Sequence, residues 1–330
     1  MAHELNMLAS GQAAMAYLGE TPWHKLGQRM EPDATLDDWK TAAGLNWQAQ
    51  KRQAVFLDEA GEKHEIPGRF ALVRSDNNHP FEVVSAQYQP VQPDMIMDFF
   101  GAVIRNNGFR METLGALFNG DKIFALARAG DTQDVVNGDP IAPYLLLATS
   151  FDKSSPTLVT PTTVRVVCKN TLAIAVAEEE KKAFRSVRVV HRTAFNPDAV
   201  RADLGLHMQT SFERFMQNTR ALAAKQVNHA TFETFMQNLL ATTVDGKLVP
   251  LNIEDARDHR TYEKVQRLFE QGIGADIPAV RGTGWGLVNA VTEYVDHGRN
   301  VENFDKRYDS ALFGDGANIK ARAMELATAL

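Results

Sequence analysis

Phe109-Arg110-Met111-Glu112-Thr113-Leu114-Gly115-Ala116-Leu117-Phe118, then Asn119-Gly120-Asp121, then Lys122-Ile123-Phe124-Ala125-Leu126-Ala127-Arg128 is the stretch that decides the fold class. Two apolar, strand-like runs flank an Asn-Gly pair, and Asn-Gly tolerates the positive φ that a tight hairpin turn demands. The segment predicts an antiparallel hairpin. Upstream, Phe70-Ala71-Leu72-Val73 and Phe81-Glu82-Val83-Val84 flank a turn rich in Asp, Asn and Pro and predict another. Between the hairpins, Pro93 and Asp94 open an amphipathic helix through Met95, Phe99, Phe100 and Val103, stopped at Asn106-Asn107-Gly108. Downstream, Tyr144–Thr149, Thr162–Lys169 and Arg185–Arg192 read as strands, with a helix over Leu172–Phe184 capped by Asn170 or Thr171. Together these predict an α+β fold: a mainly antiparallel sheet with packed helices.

The flanks differ. Residues 1–50 form a mixed N-terminal arm holding Trp23, Trp39 and Trp47, where Thr35 caps a short helix and Asp37 and Asp38 favour its first turn. After Pro197 apolar positions recur three and four apart, so residues 197–330 predict a helical C-terminal part. Phe212-Glu213-Arg214-Phe215-Met216-Gln217-Asn218 echoes Phe232-Glu233-Thr234-Phe235-Met236-Gln237-Asn238, as two amphipathic helices do by chance. The expected division is 1–50, 51–196 and 197–330.

At 330 residues, with 44% hydrophobic and 23% charged side chains, the chain is long enough for two packed units. No run is apolar over the ~18–20 residues that span a bilayer, and Met1-Ala2-His3-Glu4-Leu5-Asn6 has no secretory pattern. A single cysteine, Cys168, fits a reducing cytoplasm. The net charge of −6 excludes a chain basic all over, yet leaves room for a local basic face.

Standard catalytic signatures are missing. The sequence holds no His-Glu-x-x-His, no Cys-x-x-Cys, no phosphate-binding Gly-x-x-x-x-Gly-Lys-Ser/Thr and no Gly-x-Ser-x-Gly elbow. No cofactor and no tightly bound metal are expected. Gly282-Thr283-Gly284-Trp285-Gly286 leads into a helix and could offer amides to an anion, but no strand precedes it. A tight helix start with Trp285 in the core is the favoured reading. Ser150-Phe151-Asp152-Lys153-Ser154-Ser155 holds nucleophile-type residues, which are also what a turn spends on its own backbone; without a partner histidine in view, turn chemistry is favoured.

Two strands share Val-Arg-Val-Val: Val164–Lys169 and Val187–Arg192. Alternation along a strand puts Arg165 and Lys169 on one face of the first. The same rule puts Arg188, Val190 and Arg192 on one face of the second. With Lys153 and Arg185 nearby, these side chains make a candidate basic face for a phosphate backbone, and Phe151, Phe184 and Phe195 are candidate stacking partners. An ordinary half-exposed sheet with solvated arginines is the competing reading.

Several segments resemble the phage/plasmid-like family of unknown function (the DUF932 type) found on prophages, phages and plasmids. They are Thr21-Pro22-Trp23-His24-Lys25-Leu26-Gly27, Thr149–Ser155, Val164–Leu172, Gly284–His297 and Arg307–Gly314. The resemblance implies a mobile-element setting, where such proteins travel with replication and recombination genes, and it supplies no catalytic residues. The order of hairpins and helices is compatible with the Rad52-like architecture of phage annealing proteins, a fold-level analogy. The leading expectation is a cytoplasmic single-stranded DNA-binding protein that promotes annealing as a homo-oligomer, with no membrane association. A protein-interaction role, such as an inhibitor of host defence or a virion component, is the alternative. An enzyme working through Asp152, His24 or His191 has the least support.

Overall fold

A computed structural model describes residues 8, 11–19, 27–136, 138–165, 170–173, 187–193, 195–196, 198–200, 208–300, 304–312 and 314–330. The fold is α+β, with antiparallel sheets and a helical C-terminal region. The chain divides into two compact units. The first comprises residues 1–129, 145–160 and 186–205; the second comprises 130–144, 161–185 and 206–330.

In the first unit the chain runs β1 (Met15–Tyr17), β2 (Gln28–Arg29), α1 (Leu36–Ala42), β3 (Ala49–Leu57), β4 (Lys63–Arg74), β5 (Pro80–Ser85), α2 (Pro93–Asn107), β6 (Arg110–Leu117) and β7 (Lys122–Arg128). Thr35 caps α1 in a reciprocal capping box, each side chain of the Thr35–Asp38 pair accepting from the other residue's backbone N–H. That hydrogen bonding holds the Asp38 carboxyl below its ordinary pKa. Pro93 begins α2 and Gly108, at φ 67°, ends it. β6 and β7 pair antiparallel from Arg110↔Arg128 to Leu117↔Lys122. The connection bends through Phe118, Asn119 and Gly120, all at positive φ. β3, β4 and β5 form a separate antiparallel meander, bulged between Gln53 and Val55.

The chain continues through β8 (Gln133–Asp134), β9 (Pro140–Ser150), β10 (Thr157–Arg165), β11 (Asn170–Ala173) and β12 (Val187–Val189). The first unit's main sheet has the order β10-β9-β7-β6-β1-β2, with β12 on β10. β1 pairs antiparallel with β6 and parallel with β2. Leu72, Ile96, Phe99, Phe100, Leu114 and Phe124 are fully buried in this unit. In the second unit β8 pairs with the start of β9, and β11 with the end of β10, Thr162↔Ala173 through Arg165↔Asn170. Leu172 and Ala173 therefore lie in a strand and not in the expected helix, because their backbone groups complete the ladder with β10. The rest of that expected helix lies outside the described residues.

Helices make up most of the second unit: α3 (Met208–Ala224), α4 (His229–Leu239), α5 (Ile253–Asp258), α6 (Arg260–Gln271), α7 (Gly284–Glu293), α8 (Phe304–Leu312) and α9 (Asp315–Ala329). A hairpin, β13 (Thr242–Val244) with β14 (Lys247–Val249), interrupts them. α7 is the central element, buried along its whole length and packed by α3, α6 and α9. The echoed segments supply matching faces: Phe212, Phe215 and Met216 on α3, and Phe232, Phe235 and Met236 on α4, are all buried in one core. A π-helical turn, Tyr294–Gly298, extends α7. It carries Asp296 into a buried ion pair with Lys320 Nζ at 2.8 Å. Among the described residues no helix is long and apolar enough to cross a membrane.

Candidate nucleic-acid interface

In the first unit β12 and the turn that follows it form an exposed basic ridge, so the strand expected over Arg185–Arg192 ends at Val189. Along Val187–Arg192, Arg188, Val190 and Arg192 are exposed, while Val187 and Val189 are half-buried and His191 is buried. β12 pairs antiparallel with the first residues of β10, Thr157↔Val189, Leu158↔Arg188 and Val159↔Val187. The described residues of the two Val-Arg-Val-Val copies thus pair with other segments, Val187–Val189 with Thr157–Val159 and Val164 and Arg165 with Thr171 and Asn170. A ladder obeys hydrogen-bond register, and likeness of sequence does not set it.

His191 anchors the ridge. Its Nδ1 is hydrogen-bonded to the Tyr88 hydroxyl, and its Nε2 lies 3.3 Å from Thr157 Oγ1 and 3.5 Å from Thr149 Oγ1. The two threonine hydroxyls are themselves 2.7 Å apart. An Nε2–H tautomer satisfies this set, accepting from Tyr88 and donating to the threonines. Burial pushes the His191 pKa down. Burial, reinforced by the charges of Asp152 and Glu82, pushes Tyr88 up. Both shifts favour the neutral forms, so the hydrogen bonds of the cluster act as an uncharged clamp.

The clamp has a pH signature. His191 titrates lower in the folded chain than the ~6.5 of an unfolded histidine, so its contribution to stability is complete above about pH 6.5 and is lost as pH falls through the folded value. Urea unfolding at about pH 7.5 and about pH 5 should show a lower midpoint in acid. The drop should be smaller in His191→Gln; equal drops in both proteins would remove His191 as its source.

The other sequence candidates fall as follows. Lys153, at φ 64°, donates Nζ to the Val83 carbonyl at 2.9 Å and lies 3.4 Å from Glu82. Its charge is therefore partly matched. Arg165 ends β10 opposite Asn170. Lys169, Arg185, Phe184 and His24 lie outside the described residues. Ser150 and Asp152 use side-chain oxygens within the turn of their own segment. Ser150 Oγ donates to Ser155 O at 2.8 Å and accepts from Ser155 N at 3.0 Å, while Asp152 Oδ1 accepts from Ser154 N at 2.9 Å. Phe151 is fully buried between Trp47 and Phe81, which corrects its reading as a stacking platform. Near it His79 Nε2 lies 3.0 Å from Asp121 Oδ1. Burial raises the Asp121 pKa against the pull of that histidine.

Gly282–Gly286 is a tight helix start. Thr283 Oγ1 accepts from Gly286 N, and a Cβ on Gly286 would meet the Val280 carbonyl at 2.2 Å. Trp285 is fully buried and donates Nε1 to Asp139 Oδ2 at 2.7 Å. The turn between β3 and β4 brings ligand-type atoms of Asp58, Glu62 and His64 within 4.8 Å of one another. Hydrogen bonding within the turn accounts for the approach: Asp58 accepts from Ala60 N and Glu62 N, and contacts His64 Nε2 at 2.6 Å.

Sequence reasoning missed Tyr88 and Lys51. Both line a first-unit pocket of about 380 Å³ that also holds Phe195. Neither sits in a motif; the Tyr88 segment reaches the ridge through long-range contacts, the Tyr88 hydroxyl with His191 Nδ1 and Gln89 N donating to His191 O at 2.6 Å.

These features define an α+β protein with an exposed basic ridge beside a pocket. Residues 80–315 match the family model described as Domain of unknown function (DUF932), and the chain belongs to that family. No curated protein and no solved structure matches the chain.

Proposed function

We propose that the chain binds single-stranded DNA and promotes annealing, as a homo-oligomer in the host cytoplasm of a phage- or plasmid-bearing cell. The observation that carries this reading is the exposed Arg188–Val190–Arg192 ridge, one guanidinium on β12 and one on the turn that follows it, in a chain of net charge −6. Arginines exposed along one ridge can contact a phosphate backbone, and each contact releases a counterion. Lys153, in the same unit, belongs to the same proposed surface. The reading needs no active site.

Fluorescence anisotropy with a labelled oligonucleotide at several salt concentrations tests it. Micromolar or tighter binding is expected, weaker to duplex, with a log–log salt slope of about −0.7 per phosphate contact. Arg188→Ala with Arg192→Ala should weaken binding and flatten the slope by roughly one to two units. Unfolding should be unaffected, because both side chains are exposed. A wild-type protein showing no salt-sensitive binding at low salt would turn the reading toward a protein partner. Val55, Phe56 and Leu57, exposed at 46%, 52% and 62% at the end of β3, would then be the first surface to test.

A further inference from the structure

We propose that the outer edge of β3 pairs antiparallel with the same edge of a second copy of this chain, forming a two-fold dimer; this rests on the homo-oligomer part of the proposed function and not on DNA binding. β3 and β4 make a long arm, and β5 covers only the inner part of β4, from Arg69 to Val73. Beyond that cover Val55, Phe56 and Leu57 are exposed in succession, so both faces of the arm meet solvent. β3 is an end strand of its sheet, and among the described residues no strand lies on its outer side.

Backbone direction fixes what that edge offers. Gln92 takes both the N–H and the C=O of Ala49, so Ala49 points off the sheet. At the other end Asp58 N donates inward to the Glu62 carbonyl. Alternation along an antiparallel strand then turns the backbone groups of Lys51, Gln53, Val55 and Leu57 outward. Native sheets blunt such edges with proline or charge. The proline of this arm, Pro67, stands on β4, while β3 carries Val55 and Leu57, 46% and 62% exposed.

Charge names the partner. The arm is basic near its base, at Lys51, Arg52 and Arg69, and acidic toward its tip, at Asp58, Glu59, Glu62 and Glu65, with Lys63 the exception. A two-fold at Val55 sets Arg52 opposite Asp58 of the second copy and Lys51 opposite Glu59. Opposite charges facing across strands stabilise a pair and like charges oppose it. Lys51 and Asp58 also hold bonds within their own chain, so exposed Arg52 and Glu59 are the side chains that swing to meet them. The edge is thus complementary to itself, as an isologous interface requires.

Sedimentation velocity of the full-length protein, without DNA, tests this. A concentration-dependent monomer–dimer equilibrium in the micromolar range is expected. Val55→Lys sets two ammoniums face to face at the two-fold, and should weaken the dimer roughly 10- to 100-fold. Arg52→Glu should weaken it by a comparable factor. Both side chains are exposed, so circular dichroism should be unchanged. A wild-type chain that stays monomeric at about 100 µM would overturn the pairing and leave the edge for a strand from another protein. A dimer that survives both substitutions at full strength would also overturn it, placing the interface elsewhere and leaving the homo-oligomer reading standing. Salt-sensitive binding at the ridge is measured separately, so its absence would remove the DNA reading and leave the dimer in place.

Discussion

Replacing Trp285 by Ala is expected to destabilise the second unit by about 3–5 kcal/mol, the range for deleting a large buried aromatic. Trp285 is fully buried at the start of α7 and packs edge-on against Phe215 of α3, at a centroid distance of 6.3 Å. Its indole N–H also donates to the buried Asp139 carboxylate. Alanine removes both the packing volume and the donor. Trp285→Phe keeps most of the volume and isolates the hydrogen bond, for which about 1.5–3 kcal/mol is expected, as for bonds to charged groups. Since whole domains are stable by only about 5–15 kcal/mol, the alanine variant should lose the second unit's protection from protease first. Urea unfolding followed by circular dichroism checks the ranking. A shift below about 1 kcal/mol for Trp285→Ala would show that α7 is not held as described.

The buried ion pair carries the second large effect. Lys320 is 3% exposed and Asp296 8% exposed, and they meet at 2.8 Å. Taking away one member of such a pair costs about 3–5 kcal/mol, because the other charge stays in a low-dielectric core. Lys320→Met should therefore be severely destabilised. Lys320→Met with Asp296→Leu should recover much of the loss, because apolar side chains of similar volume replace a buried pair at little cost. A double variant no better than the single would show that the site depends on more than charge balance.

Local signals were legible because their causes are local. Thr35 caps α1, Pro93 and Gly108 bound α2, and the Asn-Gly turn joins β6 to β7, each from a few adjacent residues. One such signal was passed over: Asp245-Gly246 stands at φ 49° and 74° between β13 and β14, the Asp-Gly hairpin chemistry that marked other turns. The ridge was legible in part: alternation exposes Arg188 on β12, but the strand expected to run to Arg192 ends at Val189, and Arg192 is exposed on a turn in which Thr193 N donates to the Val190 carbonyl. What joins it to the pocket was not. Tyr88 and His191 are 103 residues apart, and Leu172 became a strand residue only because β10 was there to pair with it. Partner choice across such separations is a tertiary property, absent from any window of sequence.

The Trp285–Asp139 bond spans 146 residues, and that separation has a consequence during synthesis. At translation rates of roughly 5–20 residues per second, Asp139 leaves the ribosome roughly 7–30 s before its partner. Until then Val135 and Ile141, which end in the second unit's core, have none of the α7 side chains to pack against. The nascent chain therefore carries an apolar segment waiting for the far end of its own message. Chaperone demand should be set by this interval and should lengthen when codons between the two positions are slowed.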